Sequence, residues 1–250
     1  MLKQRIITAL VMLLILLPAL FYPSPDPFCA VALLLVAAGA WEWGRLNAYG
    51  QAASLASAAL CVLLCAATWA AGYLTRSLPM VWLLAGAFWV LAGGWLLRRG
   101  VLAWATVLPA LRLHAGVLVL WCAWLAVAQA RVIGINFLLS ILVLVWVADI
   151  FAYFAGKAWG GRFSKARLAP SISPGKSWEG VWGGMTGVLV LAFAWRWVDQ
   201  AWQLPVPSVY SHLAQRGIWF LVMAVLFLGA MSVVGDLVES MFKRESGVKD

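Results

Sequence analysis

Charge is what this sequence has least of. Only 11% of its 250 residues are charged, while 65% are hydrophobic. Water-soluble domains carry roughly 25% charged and about 45–50% apolar residues. The shortage excludes a soluble globular domain and marks an integral membrane protein. Histidine is nearly absent, and His114 and His212 stand alone in the sequence. The four cysteines (Cys29, Cys61, Cys65, Cys122) all lie in apolar runs without the spacing of a zinc site, so they read as buried free thiols. No heptad pattern and no clear internal repeat is present. That excludes a coiled coil and removes the paired halves that a secondary transporter would show. Long polar segments are missing too. Any active site must therefore be built from helix ends, short loops and polar residues within the membrane.

The net charge of +9 does not point to nucleic acid, because the bases are spread between apolar runs and do not form one face. Eight spans are expected, at about 6–22, 28–43, 52–74, 79–97, 115–130, 135–155, 178–198 and 217–234. The first resembles the basic and apolar regions of a signal peptide, but no small-x-small cleavage site follows, so it reads as uncleaved. Val101–Leu113, broken by Pro109 and Arg112, reads as a re-entrant or interfacial piece. With the N-terminus in the cytoplasm, 14 of the 18 bases fall inside; Arg76, Arg131, Arg196 and Arg216 fall outside. The polar stretch Gly156–Lys176 and the C-terminal stretch from Gly235 then share the cytoplasmic side. Tryptophans near span ends, such as Trp41, Trp43, Trp178 and Trp197, fit an aromatic belt.

With nine acids in the chain, each one carries information. Asp149 sits deep in an apolar span, with Tyr153 one helical turn on. An acid there is costly and is a functional candidate by default, unless a base such as Lys157 pairs with it. Asp236, Glu239, Ser240 and Lys243 fall at i, i+3, i+4 and i+7 and share one helical face, which Ser232 extends by a turn. That face is either a solvated helix end or a carboxylate cluster for a metal, ringed by bases for phosphates. Gly156–Gly180 is rich in glycine, hydroxyls and bases, a composition that wraps phosphates with backbone N–H groups and point charges. The bland alternative is a basic loop attracted to anionic lipid. Gly175-Lys176-Ser177 is not a Walker A motif, since Pro170 stands where the first glycine is required. Ser173-Pro174 has the form of an N-cap followed by proline at N1, so the seventh span is expected to start there and present an anion site. Together these pieces point to metal-assisted chemistry on a phosphate-bearing lipid or nucleotide, with oxygen ligands that suit Mg²⁺.

Three motifs, in order, resemble the CDP-diacylglycerol synthases (phosphatidate cytidylyltransferases). They are Ala148-Asp149…Ala152-Tyr153, Ile172–Gly180, and Gly235-Asp236 with Glu239, Ser240, Phe242, Lys243, Arg244, Lys249 and Asp250. The likeness covers Leu144–Asp250. It implies an all-α polytopic membrane protein with residues 1–130 as N-terminal transmembrane helices. Residues 131–250 form a catalytic region with a cytoplasmic loop at 156–178 and the signature stretch at 235–250. The implied reaction transfers CMP from CTP to phosphatidic acid, giving CDP-diacylglycerol and pyrophosphate in phospholipid biosynthesis, with Mg²⁺. On this likeness Asp236 is expected to bind the metal, with Asp250 and Asp149 as ligands or close by. Lys176, Lys243, Arg244 and Lys249 would neutralise phosphates. Ser173, Ser177 and Ser240 would donate to phosphate oxygens, and Glu239 would orient a base or a metal-bound water. A second cation, a homodimer and a bacterial inner-membrane location are family expectations. The family signature runs on past Lys-Asp into a further acidic motif and one more span. The 250 residues alone are therefore expected to be an inactive fragment. The Asp-Gly-x-x-Ala-Arg pattern of the CDP-alcohol phosphotransferases is absent. A transporter using Asp149 is the rival from another class.

Overall fold

A computed structural model describes residues 2–100, 104 and 106–245. Lys249, Asp250 and part of Val101–Leu113 lie outside the described residues. The chain folds into helices α1 (Leu2–Phe21), α2 (Asp26–Leu46), α3 (Gln51–Ala70), α4 (Pro79–Arg99), α5 (Pro109–Ile133) and α6 (Ile135–Trp159). A hairpin of β1 (Arg167–Ala169) and β2 (Ser173–Ser177) follows, then α7 (Trp178–Ala201), α8 (Val209–Ala214) and α9 (Ile218–Glu245). Seven of the helices are long and apolar enough to cross a membrane, and α1 holds a shorter apolar stretch, Ile6–Phe21. The eight expected spans map onto these eight helices.

Two expectations are corrected. Pro109–Leu113 is not a separate interfacial piece: Pro109 opens α5, which then runs unbroken to Ile133. Proline is tolerated there because the first N–H groups of a helix have no intrahelical partner. The seventh span does not begin at Ser173-Pro174. Those residues are extended and pair antiparallel with β1, Arg167 opposite Ser177 and Ala169 opposite Ser173. The helix starts at Trp178, and its cap is Ser177, whose side chain accepts from Gly180 N at 3.2 Å.

Helices α1, α2, α3 and α5 form one compact unit. Its pattern is the reverse of a soluble core. Ser54, Ser57, Cys61, Cys65 and Thr68 make the buried stripe of α3, while Leu34 of α2 and Leu63 of α3 are about two-thirds exposed. Lipid is as apolar as leucine, so small and weakly polar residues make the helix contacts and large apolar ones face outward. Indole N–H groups tie the unit together: Trp121 to Thr68 Oγ1 at 2.9 Å and Trp124 to the Cys29 carbonyl at 3.0 Å. Arg131 is 5% exposed and caps the end of α1, donating to the Leu20 carbonyl at 3.0 Å and the Tyr22 carbonyl at 2.5 Å. Arg131→Ala is expected to lower unfolding stability in detergent by about 1–2 kcal/mol. Lysine at 131 should restore only part, because one ammonium cannot span the carbonyls as a guanidinium fork does. A wild-type melting profile for the alanine variant would show the cap to be dispensable.

The other unit holds α4, α7, α8, α9, the hairpin and α6 from Asn136 onward. Its core joins Leu144 and Ala148 of α6 to Val188 and Ala192 of α7, Tyr210 of α8, and Leu221 and Val225 of α9. A second cluster sets Leu96 of α4, Ile172 of the hairpin turn, and Leu237, Val238 and Met241 of α9 together, seating the hairpin on the helices. At the far end of α7, buried Asp199 accepts from Asn136 Nδ2 at 2.9 Å, Ser208 N at 2.8 Å and Ser211 Oγ at 2.6 Å. This network anchors α8 beside α6 and α7. The loop expected between the last two spans thus contains a short helix.

Candidate functional site

The α6–α7 contact positions the site. Glycines 180, 183, 184 and 187 repeat at helical spacing along one face of α7. A Cβ on Gly180 would lie 2.9 Å from the Ala152 carbonyl, and one on Gly184 would lie 2.9 Å from the Ala148 carbonyl. The two backbones therefore touch, a small-residue contact typical of membrane helices. Asp149 follows Ala148 directly, and Ser177 caps the α7 end nearest it. This contact brings an intramembrane acid to the rim of the hairpin.

A cavity of about 550 Å³ opens at that point. Helix α6 contributes Ala148, Asp149, Ala152 and Tyr153; the hairpin contributes Leu168, Gly175, Lys176 and Ser177; α7 adds Gly180 and Val181; α9 adds Val233 and Asp236. Lys176 forms an ion pair with Asp236, joining the hairpin to α9. The lysine side chain is 24% exposed and the aspartate 48%. Asp149 shares this cavity with Asp236 and Lys176. Lys157 lies over the Tyr153 ring at 5.8 Å. The walls are thus part aliphatic and part charged. The arrangement can hold an apolar tail and an oxyanion side by side.

Of the residues expected from sequence, Asp149, Lys176, Ser177 and Asp236 meet on this cavity. Ser177 Oγ accepts from the Gly180 N–H, which leaves its O–H able to donate. The helical face from Asp236 to Lys243 exists as expected, since α9 continues to Glu245. Glu239 and Lys243 pair with each other at 2.9 Å, one turn beyond the cavity, and both are about half exposed or more. Such surface pairs contribute little to stability. Ser173, Ser240 and Arg244 are not on the cavity wall; Ser173 starts β2, and Ser240 and Arg244 are on the last turns of α9. Lys249 and Asp250 lie outside the described residues.

Glu179 has a structural role that its place in the motif does not announce. It is 3% exposed, and its Oε1 accepts from Phe163 N at 3.0 Å and Ser164 N at 2.8 Å. It pins the turn before the hairpin onto the start of α7. The available signal was an acid in the first helical turn, which ordinarily means only a favourable dipole contact.

Acidic and basic groups facing one another on a membrane cavity suit phosphate chemistry, and similarity to known proteins bears on this directly. The Cytidylyltransferase family profile matches residues 3–250. The phosphatidate cytidylyltransferase of Pseudomonas aeruginosa is 38% identical over 255 residues, covering 100% of this chain and 86% of that protein. The Haemophilus influenzae phosphatidate cytidylyltransferase is 34% identical over 280 residues, covering 100% of this chain and 88% of that protein. The Bacillus subtilis enzyme of the same name is 39% identical over 117 residues, 47% of this chain. No solved structure matches the chain. A profile spanning almost every residue and two relatives aligned from end to end agree with the motifs and the cavity they build: the chain belongs to the Cytidylyltransferase family.

Proposed function

We infer that this chain is a phosphatidate cytidylyltransferase, joining CTP and phosphatidic acid to give CDP-diacylglycerol and pyrophosphate. One observation carries the reading. In a membrane chain aligned along its whole length with two enzymes of that name, the Lys176–Asp236 pair and Asp149 line a single half-aliphatic cavity. The phosphatidate oxygen is already ionised near neutral pH, so the site needs no strong base. It attacks the α-phosphorus of CTP; a new P–O bond forms there, and the bond to the bridging oxygen breaks, its electrons leaving with pyrophosphate. Catalysis of this kind is positioning and charge neutralisation.

In this reading Lys176, on the cavity wall, neutralises a phosphate and the Ser177 hydroxyl donates to one; their shared position on the wall supports it. Lys243 and Arg244, on the same helix as Asp236, add positive potential where the polyanions approach. Aliphatic side chains such as Ala152, Val181 and Val233 give the lipid glycerol end an apolar wall. The two carboxylates, Asp149 and Asp236, supply hard oxygen donors of the type Mg²⁺ prefers, with substrate phosphates and water completing its shell. Among the described residues no three His, Cys, Asp or Glu side chains cluster as a metal site. When bound, Mg²⁺ would offset the charge on the phosphates. The positive-inside bias supports a cytoplasmic position for this site, where CTP is available, and the bacterial relatives support an inner-membrane location.

The test is turnover by the purified protein, expressed in full from its own gene. With labelled CTP and phosphatidate in mixed micelles, CDP-diacylglycerol and pyrophosphate should appear in equal amounts. Diacylglycerol should not replace phosphatidate. Chelation should stop the reaction and Mg²⁺ restore it. A folded protein that makes no CDP-diacylglycerol under these conditions would overturn the assignment.

A further inference from the structure

A second cavity, of about 430 Å³, adjoins the first and shares Lys176 and Ser177 with it. Its chemistry is different. Two further bases, Lys165 and Arg167, and another hydroxyl, Ser164, line it beside Gly160 and Gly161. Among the described residues no carboxylate is on its wall, whereas the first cavity carries two. No described valine or leucine lines it, while the first cavity has Leu168, Val181 and Val233. An acyl chain would find little to contact here, and a polyphosphate would meet mainly basic side chains, with Asp236 paired to Lys176 on the shared wall.

The cavity is also built and not merely a floppy basic loop. Glu179 holds the Phe163 and Ser164 N–H groups from the α7 side. Gly161 turns the chain at φ +80°, a conformation suited to glycine. The Arg167 guanidinium donates to the Pro174 carbonyl across the hairpin, which fixes the base over the pocket.

Resting on the cytidylyltransferase reading, we propose that this second cavity takes the β- and γ-phosphates of the nucleotide and is where pyrophosphate leaves. The α-phosphate then lies at the shared wall of Lys176 and Ser177, within reach of a lipid phosphate held in the first cavity. Nucleotide tail and lipid head meet from opposite sides of one lysine. In-line displacement needs that geometry, because the attacking oxygen and the departing pyrophosphate must lie on opposite faces of the α-phosphorus.

The experiment measures inorganic pyrophosphate as probe, with the full protein, Lys165→Ala/Arg167→Ala and Lys165→Glu. Direct binding of pyrophosphate is followed by calorimetry in detergent with Mg²⁺ present, and turnover is measured in parallel. Both altered side chains are exposed and only the Arg167–Pro174 hydrogen bond is lost, so melting temperatures within a few degrees of wild type should certify the fold. The double variant should weaken pyrophosphate binding and raise the KM for CTP by roughly tenfold each. The KM for phosphatidate should stay within about twofold, since the removed charges contact only the nucleotide. Charge reversal should exceed the double alanine. A raised KM for phosphatidate with unchanged pyrophosphate binding would assign the cavity to the lipid head and overturn the proposal. So would equal pyrophosphate binding by all three proteins. Saturable pyrophosphate binding by a wild type that makes no CDP-diacylglycerol would instead refute the cytidylyltransferase reading and leave the anion pocket standing.

Discussion

Asp236→Asn is expected to cut CDP-diacylglycerol formation by about a hundredfold or more, the scale seen when one preorganised electrostatic group is removed from a reaction centre. The amide keeps the volume of the carboxylate and changes its charge. Two consequences follow in the same cavity. Lys176, only 24% exposed, loses its carboxylate partner. On the proposed role of Asp236, a hard oxygen donor for a divalent cation would be lost at the same time. These effects can be separated. If Asp236 serves only to neutralise Lys176, removing both charges in Asp236→Asn/Lys176→Met should restore much of the activity. If Asp236 acts on substrate and cation, the double variant should remain as inactive as the single one. We expect the second outcome, with non-additive losses, because the two side chains are paired on the wall of one cavity. Recovery in the double variant would reduce Asp236 to a structural partner. Unfolding midpoints within a few degrees of wild type would show that the loss is chemical.

Asp236 was legible in sequence for a physical reason. An acid at the end of an apolar helix, followed at i+3, i+4 and i+7 by polar and basic groups, must show that face to something polar. Asp149 was legible by its cost within an apolar span. The hairpin was not. Ser173-Pro174 and Ser177-Trp178 both satisfy the local rule for a helix start, and local chemistry cannot choose between them. The choice comes from Arg167–Ala169, several residues upstream, which pair with β2. Proline, without an N–H, can also sit at a strand edge. The role of Glu179 was hidden in the same way, since its partners Phe163 and Ser164 return to it through a turn. Span boundaries were set too short where polar residues continue the helix. Arg112 and His114 lie inside α5, because a helical backbone satisfies its own hydrogen bonds beyond the hydrocarbon edge. The second cavity follows from the turn and the hairpin together, so no single stretch of sequence announces it.

The glycine face of α7 supports the other large prediction, and it tests whether the site depends on helix contact as much as on charge. Gly184→Val should destabilise the protein by about 3 kcal/mol, at the upper end of overpacking costs. The clash is with backbone: a Cβ at 184 meets the Ala148 carbonyl at 2.9 Å, and no rotamer can relieve it. Helix α7 must move away from α6, and neighbouring glycines cannot absorb the shift, since a Cβ at 180 would meet Ala152 O at the same distance. The residue after Ala148 is Asp149, so the displacement reaches the cavity wall directly. Activity should fall more steeply than stability alone explains, even at temperatures where the variant is fully folded. Gly184→Ala should lie between valine and wild type. Gly94→Ala on α4 is the control, because a Cβ there meets nothing within 4 Å and alanine is the better helix former. Melting in detergent and turnover below the transition are the two readouts. If Gly184→Val melts and turns over like the Gly94→Ala control, the α6–α7 contact does not set the position of Asp149, and the carboxylate must be held by other packing.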